Sequence, residues 1–137
     1  MAAYQAQNKK VSSCKCGPDY IDPMFHKEVL GVDSKNLDLF FSSEDELRKE
    51  YAKHAADAEL VITEGVMGYY DGMRLDSVTA SSYDVARTLD IPAVLILPCK
   101  GAALSLCAVV SGIVSFQKDS NIQGIILKKE SKMLYPR

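Results

Sequence analysis

Four carboxylates and two lysines in this 137-residue chain stand where short apolar runs end. Lys15 precedes Cys16-Gly17-Pro18-Asp19-Tyr20-Ile21-Asp22-Pro23. Glu64 opens Glu64-Gly65-Val66-Met67-Gly68-Tyr69-Tyr70-Asp71-Gly72, and Lys100 follows Cys99. Asp19, Asp22, Glu64 and Asp71 offer hard oxygen donors, which suit magnesium shared with nucleotide phosphates. Lys15 and Lys100 suit phosphate or an anionic substrate. Most of these residues also have a purely structural reading. Asp19 can close a turn after Gly17-Pro18. Asp22 before Pro23 reads as a helix N-cap with proline at the first helical position. Asp71-Gly72 reads as a turn, and Lys15 as a side chain snorkelling from a strand end. Glu64 is the exception. It ends the run Leu60-Val61-Ile62-Thr63, where an unpaired buried charge is costly, so function is the better reading.

These side chains meet only if the elements that carry them share an edge. Residues 11–16, 60–63, 93–97 and 122–127 read as strands, with 60–63 and 93–97 apolar enough to be buried on both faces. The first ten residues suit the tail of a helix. Ser43 reads as an N-cap with Glu46 as its capping-box partner. The helix it opens runs to about residue 56, with Leu47, Tyr51 and His54 at helical spacing. Residues 79–89 and 102–116 suit two more helices, and 17–42 read as irregular apart from a short helical stretch at 24–30. Strands alternating with helices predict an α/β fold: a three-layer parallel sheet with helices on both faces, in one domain over residues 1–137. Ligands of such sheets bind at the carboxyl ends of the strands, so the four acids and two lysines are expected to converge there.

The formal net charge of −2 gives no field for nucleic acid or an anionic membrane. No apolar run approaches the length of a membrane span, and the first residues lack the pattern of a secretory signal, which together predict a cytoplasmic protein. The four cysteines, Cys14, Cys16, Cys99 and Cys107, lack zinc-site spacing and read as buried reduced thiols. Cys14 and Cys16 alternate along the first strand and are read as facing opposite sides of it. His26 and His54 read as structural or solvated, and no serine–histidine or cysteine–histidine pairing is suggested at local spacing. No glycine in the chain is followed by lysine, so the phosphate-loop motif G-x-x-x-x-G-K-[ST] does not occur in it.

Two stretches carry a resemblance. Lys15-Cys16-Gly17-Pro18-Asp19-Tyr20-Ile21-Asp22-Pro23-Met24-Phe25-His26 resembles the K-x-GPDYxDPxxH signature of cobyrinic acid a,c-diamide synthases. Asn36-Leu37-Asp38 is similar to the NLD that follows it, and residues 64–72 are similar to the EGVMGLxDG signature. The likeness extends to about Leu127. It implies a phosphate-loop NTPase-like synthetase domain of the dethiobiotin-synthetase kind. It further implies ATP and magnesium as cofactors, a tetrapyrrole, cobyrinic acid, as substrate, and ammonia released from glutamine by a separate glutaminase-like domain. ATP phosphorylates a substrate carboxylate, and ammonia then displaces the phosphate. By the same resemblance, Asp22 and Glu64 match magnesium or phosphate-chemistry positions. Asp19 and Tyr20 match the substrate-facing motif, Asp71 an acid tied to the second amidation, and Lys15 a position near the carboxyl phosphate.

Three departures accompany the likeness. The first strand with its phosphate loop and the glutaminase domain are expected to be missing. Lys128 stands where the family usually has an asparagine linked to adenine recognition. The expected protein is therefore an amidoligase fragment, inactive alone. The alternatives are a non-catalytic remnant that binds a tetrapyrrole or a partner protein, or a nickel-sirohydrochlorin a,c-diamide synthase. A strand left unpaired at the sheet edge is expected to favour a homodimer.

Overall fold

The computed structural model describes residues 1–128, which fall into two compact units, Met1–Leu89 and the segment from Asp90 onward. The first unit contains α1 (Ala2–Gln5), β1 (Val11–Cys16), α2 (Ile21–Leu30), β2 (Ser34–Leu37), α3 (Glu44–Ala55), β3 (Leu60–Glu64) and α4 (Ser82–Leu89). Its three strands run parallel in the order β2-β1-β3. The second unit is β4 (Ala93–Pro98), α5 (Leu104–Ser115) and β5 (Ile122–Lys128), with β4 and β5 parallel. The chain is therefore an α/β protein of parallel strands and helices, as its alternating pattern predicts.

Alternation along β1 decides what each face of the first sheet meets. Cys14 and Cys16 pack with Leu37, Leu47 and Val85, which places α3 and α4 on one face. Ser13 turns to the other face and meets His26 of α2. Helices thus cover both faces of this sheet. Cys14 and Cys16 do not face opposite sides: residues two apart in a strand share a face, and both lie in one core.

Two sequence expectations shift in detail. The stretch 17–42 is less irregular than it reads. It holds β2, whose Ser34-Lys35-Asn36-Leu37 lacks β-branched residues and forms by pairing with β1, and α2 begins at Ile21. The strands read as sealed on both faces are more open: β3 is half-buried with Glu64 exposed, and Val94 and Ile96 of β4 are exposed. At α3 the expected capping box is present. Ser43 Oγ accepts from the Glu46 N–H, and Glu46 Oε2 accepts from the Ser43 N–H at 2.8 Å.

Candidate functional site

Parallel register brings the key side chains together. Lys15 on β1 pairs with Glu64 on β3 and, across its other edge, with Asn36 on β2. Just beyond, Gly17 adopts φ +76, a left-handed conformation that glycine takes without steric cost, and its N–H bonds to the Leu37 carbonyl. The chain then turns into α2. Asp19 Oδ1 accepts from the N–H groups of Ile21 and Asp22, at 2.9 and 3.3 Å, and so caps the helix. Asp22 is therefore not the N-cap that its place before Pro23 suggests. It lies inside the first turn, where the cap is already supplied and the helix dipole favours an acid.

That leaves the Asp22 carboxylate available to Lys15. The Lys15 ammonium lies 2.6 Å from Asp22 Oδ2, 3.5 Å from Glu64 Oε1 and 3.7 Å from Asp19 Oδ2. It also reaches the Gly65 carbonyl at 3.4 Å. Lys15 is only 4% exposed, so it is no surface snorkel. Burial works against its charge, but the hydrogen bond to Asp22 and the field of Glu64 outweigh that, and its pKa is raised. Its hydrogen bond holds the Asp22 carboxyl below the usual range. Three carboxylates share one ammonium, which leaves negative charge in excess at this edge.

Glu64 is not cut off from solvent as its apolar strand suggests: its side chain is 47% exposed. Its second oxygen, Oε2, faces His26 Nε2 at 3.6 Å. Among the described residues no three acidic, histidine or cysteine side chains form a ready metal cage. Asp22 and Glu64 instead fit magnesium's sparser mode, in which one or two carboxylates leave the other positions to phosphate oxygens and water. Asn36 Oδ1 and Asp38 Oδ2, at the end of β2, are buried without a hydrogen-bond partner.

Within the first unit, Asp71 takes no part in the ion pairs of Lys15. Asp71 Oδ2 accepts from the Gly68 N–H at 3.0 Å and closes its own loop, and no hydrogen bond or ion pair joins it to Lys15. That loop is pinned by Ser82 Oγ, which accepts from the Val66 N–H at 3.1 Å. Tyr20 is well exposed beside Asp19. Lys100 belongs to the second unit, and the Lys128 carbonyl there accepts from the Cys99 N–H. Burial pushes the Cys14 thiol up to about 12 and the Cys16 thiol to about 11, so neither is reactive. Cys107, read as buried, is exposed.

Local spacing missed three serine–histidine contacts because each joins separate elements. Neither histidine is solvated. Ser12 Oγ lies 2.7 Å from His54 Nε2, and Asp33 Oδ2 lies 3.7 Å from His54 Nδ1. This is not a hydrolytic triad. The same Nε2 is 2.9 Å from the Ser13 carbonyl, which can only accept, so Nε2 carries the hydrogen and cannot take one from Ser12. The other two contacts, Ser13 and Ser34 with His26, border the Lys15 cluster.

The fold and site define an α/β unit with a lysine ringed by acids at the carboxyl edge of a parallel sheet. No family model matches the chain. It is 40% identical over 129 residues to a cobyrinate a,c-diamide synthase of a Synechococcus strain, covering 94% of this chain and 28% of that protein. It is 41% identical over 135 residues to the enzyme so named in Clostridium acetobutylicum, covering 98% and 30%. It is 34% identical over 124 residues to that of Methanococcus vannielii, covering 90% and 28%. The chain belongs to the cobyrinate a,c-diamide synthase family, and it spans under a third of the length of these relatives. No helix among the described residues is long and apolar enough to cross a membrane.

Proposed function

We propose that the chain carries the acid–lysine edge of an ATP-dependent amidoligase that converts the a and c acetate carboxylates of cobyrinate into amides. The observation that carries this reading is the convergence of Asp19, Asp22 and Glu64 on the buried ammonium of Lys15. The relatives' names supply the substrate, and the resemblance of the two sequence signatures implies the phosphate-loop framework and the use of glutamine.

In the reaction a substrate carboxylate oxygen bonds to the γ-phosphorus of ATP as the bond to the ADP oxygen breaks. Ammonia adds to the activated carbonyl carbon, the carbon–oxygen bond to phosphate breaks, and the surplus proton passes to solvent. Negative charge shifts among oxygens in both steps. The Lys15 ammonium, held charged by Asp22 and Glu64, opposes that charge where the acyl phosphate lies. Asp22 and Glu64 would hold magnesium, which supplies further neutralisation of the phosphates. Asp19 sets the first turn of α2, Tyr20 offers its exposed phenol to the substrate, and Asp71 shapes the loop that follows Glu64.

The test incubates the protein containing this chain with cobyrinate, magnesium-ATP and ammonium, and reads products by mass spectrometry. Stepwise formation of the mono- and diamide is expected, with Lys15→Ala slowing turnover by about 100-fold. Absence of any amide product, or an unimpaired Lys15→Ala variant, overturns the reading.

A further inference from the structure

The imidazole of His26 reaches all three strands of the first sheet. The side chain is 8% exposed and projects from α2 onto that sheet. Its Nδ1 lies 3.2 Å from Ser13 Oγ on β1 and 3.3 Å from Ser34 Oγ on β2. Its Nε2 faces Glu64 Oε2 on β3 at 3.6 Å. We propose that His26 is a positioning residue that fixes the orientation of the Glu64 carboxylate. This rests on the reading of the Lys15 cluster as the reactive edge.

The donor and acceptor inventory sets the direction of the contacts. A carboxylate only accepts, so a ring that serves Glu64 carries its hydrogen on Nε2. Nδ1 is then an acceptor, and the groups beside it are two hydroxyls, either of which can donate. The Ser13 hydroxyl has a second acceptor within 3.5 Å, the Asp33 carbonyl, so Ser34 is the donor left for Nδ1 when Ser13 turns away. The ring orientation is therefore set from the sheet side before it meets Glu64.

Glu64 needs such help. Its side chain is half exposed, and an unheld carboxylate there would sample several rotamers. One oxygen faces Lys15 and the other faces His26, which leaves one orientation that satisfies both. The distance of 3.6 Å is longer than a hydrogen bond, as is common before a ligand draws the groups of a site together. Partners that orient a metal-binding carboxylate are worth about 10- to 100-fold in metal affinity.

A purely structural His26 would act through its serine contacts alone, and two substitutions separate the roles. Asparagine places its amide near the position of Nδ1 and keeps the hydroxyl contacts; glutamine reaches the position of Nε2 and keeps a donor for Glu64. In protein labelled with carboxyl-13C glutamate, the Glu64 signal is assigned by its loss in Glu64→Gln. His26→Asn is expected to move that signal, and His26→Gln to return it toward the wild-type position, with unfolding midpoints measured alongside. A Glu64 signal unmoved by His26→Asn, or moved equally by both variants, overturns the proposal. Long-range 1H–15N spectra of the wild-type protein keep the question open to refutation should a variant fail to fold. A ring protonated on Nε2, with a shift that changes in Glu64→Gln, is expected, and a ring protonated only on Nδ1 overturns it. Manganese alone, followed by electron paramagnetic resonance, then tests the consequence. His26→Asn is expected to weaken its binding about tenfold and His26→Gln much less. If the wild-type protein binds no manganese, the metal role of Glu64 fails, while the positioning role still stands or falls on the carboxyl signal.

Discussion

The Lys15 ammonium and the Asp22 carboxylate meet at 2.6 Å, although one ends a strand and the other lies in the first turn of the following helix. Asp19 caps that helix, which frees Asp22 from the duty and turns it toward the strand. The contact changes both groups, lowering the pKa of Asp22 and raising that of Lys15.

A stability profile in pH follows from those directions. The Asp22 contribution is present above its ordinary value of 3.8 and is lost as pH falls through its lower folded value. The Lys15 contribution is present below 10.5 and is lost as pH rises through its higher folded value. The stability gap between wild type and Asp22→Asn should therefore be widest on the neutral plateau and close at both ends. Urea unfolding at a series of pH values measures it. A gap that persists in strong acid would contradict the assignment.

Glu64→Gln should separate activity from stability. The side chain is half exposed, so losing its charge should change unfolding free energy by less than about 1 kcal/mol. Amidation by the protein containing this chain should fall by about 100-fold, because the lost charge faces both Lys15 and the proposed magnesium. Turnover and the unfolding midpoint, measured on one preparation, decide between a reactive and a structural acid.

Gly72→Ala should destabilise the first unit by about 1–3 kcal/mol. A Cβ there would strike the carbonyl oxygens of Thr79 and Ser77, and these are backbone atoms that cannot swing aside. The Thr79 carbonyl also accepts from the Met73 N–H, so relieving the clash strains that bond. Denaturant titration checks the size of the effect, and an unchanged midpoint would show that the loop relaxes freely.

A neutral-pH thiol reagent should label Cys107 first. Cys107 is exposed, whereas Cys99 is buried and burial holds Cys14 and Cys16 far above neutral pH. Mass spectrometry of the folded protein should show a single fast adduct, with three more appearing on denaturation. Fast labelling of Cys14 or Cys16 would mean that the core around Leu37 and Leu47 opens readily.

Local rules carried much of the chain. The Ser43-x-x-Glu46 pattern closes hydrogen bonds within one turn, so the start of α3 is legible in the sequence. The run Val11–Cys16 and the apolar strands declare themselves by composition, and the two signatures declare the family. Which acid holds the first turn of α2 is not legible, because the sequence reads Asp19 as closing a turn and Asp22, before Pro23, as the N-cap. Only the turn after Gly17 decides that Asp19 caps and Asp22 reaches Lys15. β2 is absent from the pattern because its four residues have no intrinsic strand preference and gain it by pairing with β1. His26 reads as a bland histidine because Ser34 and Glu64, its partners, lie eight and thirty-eight residues away in the chain. The sequence by itself determined which groups were available and where most strands and helices lie, β2 and the first turn of α2 excepted. The tertiary structure alone decided which of those groups meet, because charge and hydrogen-bond pairing depend on distance in space, and parallel register sets that distance.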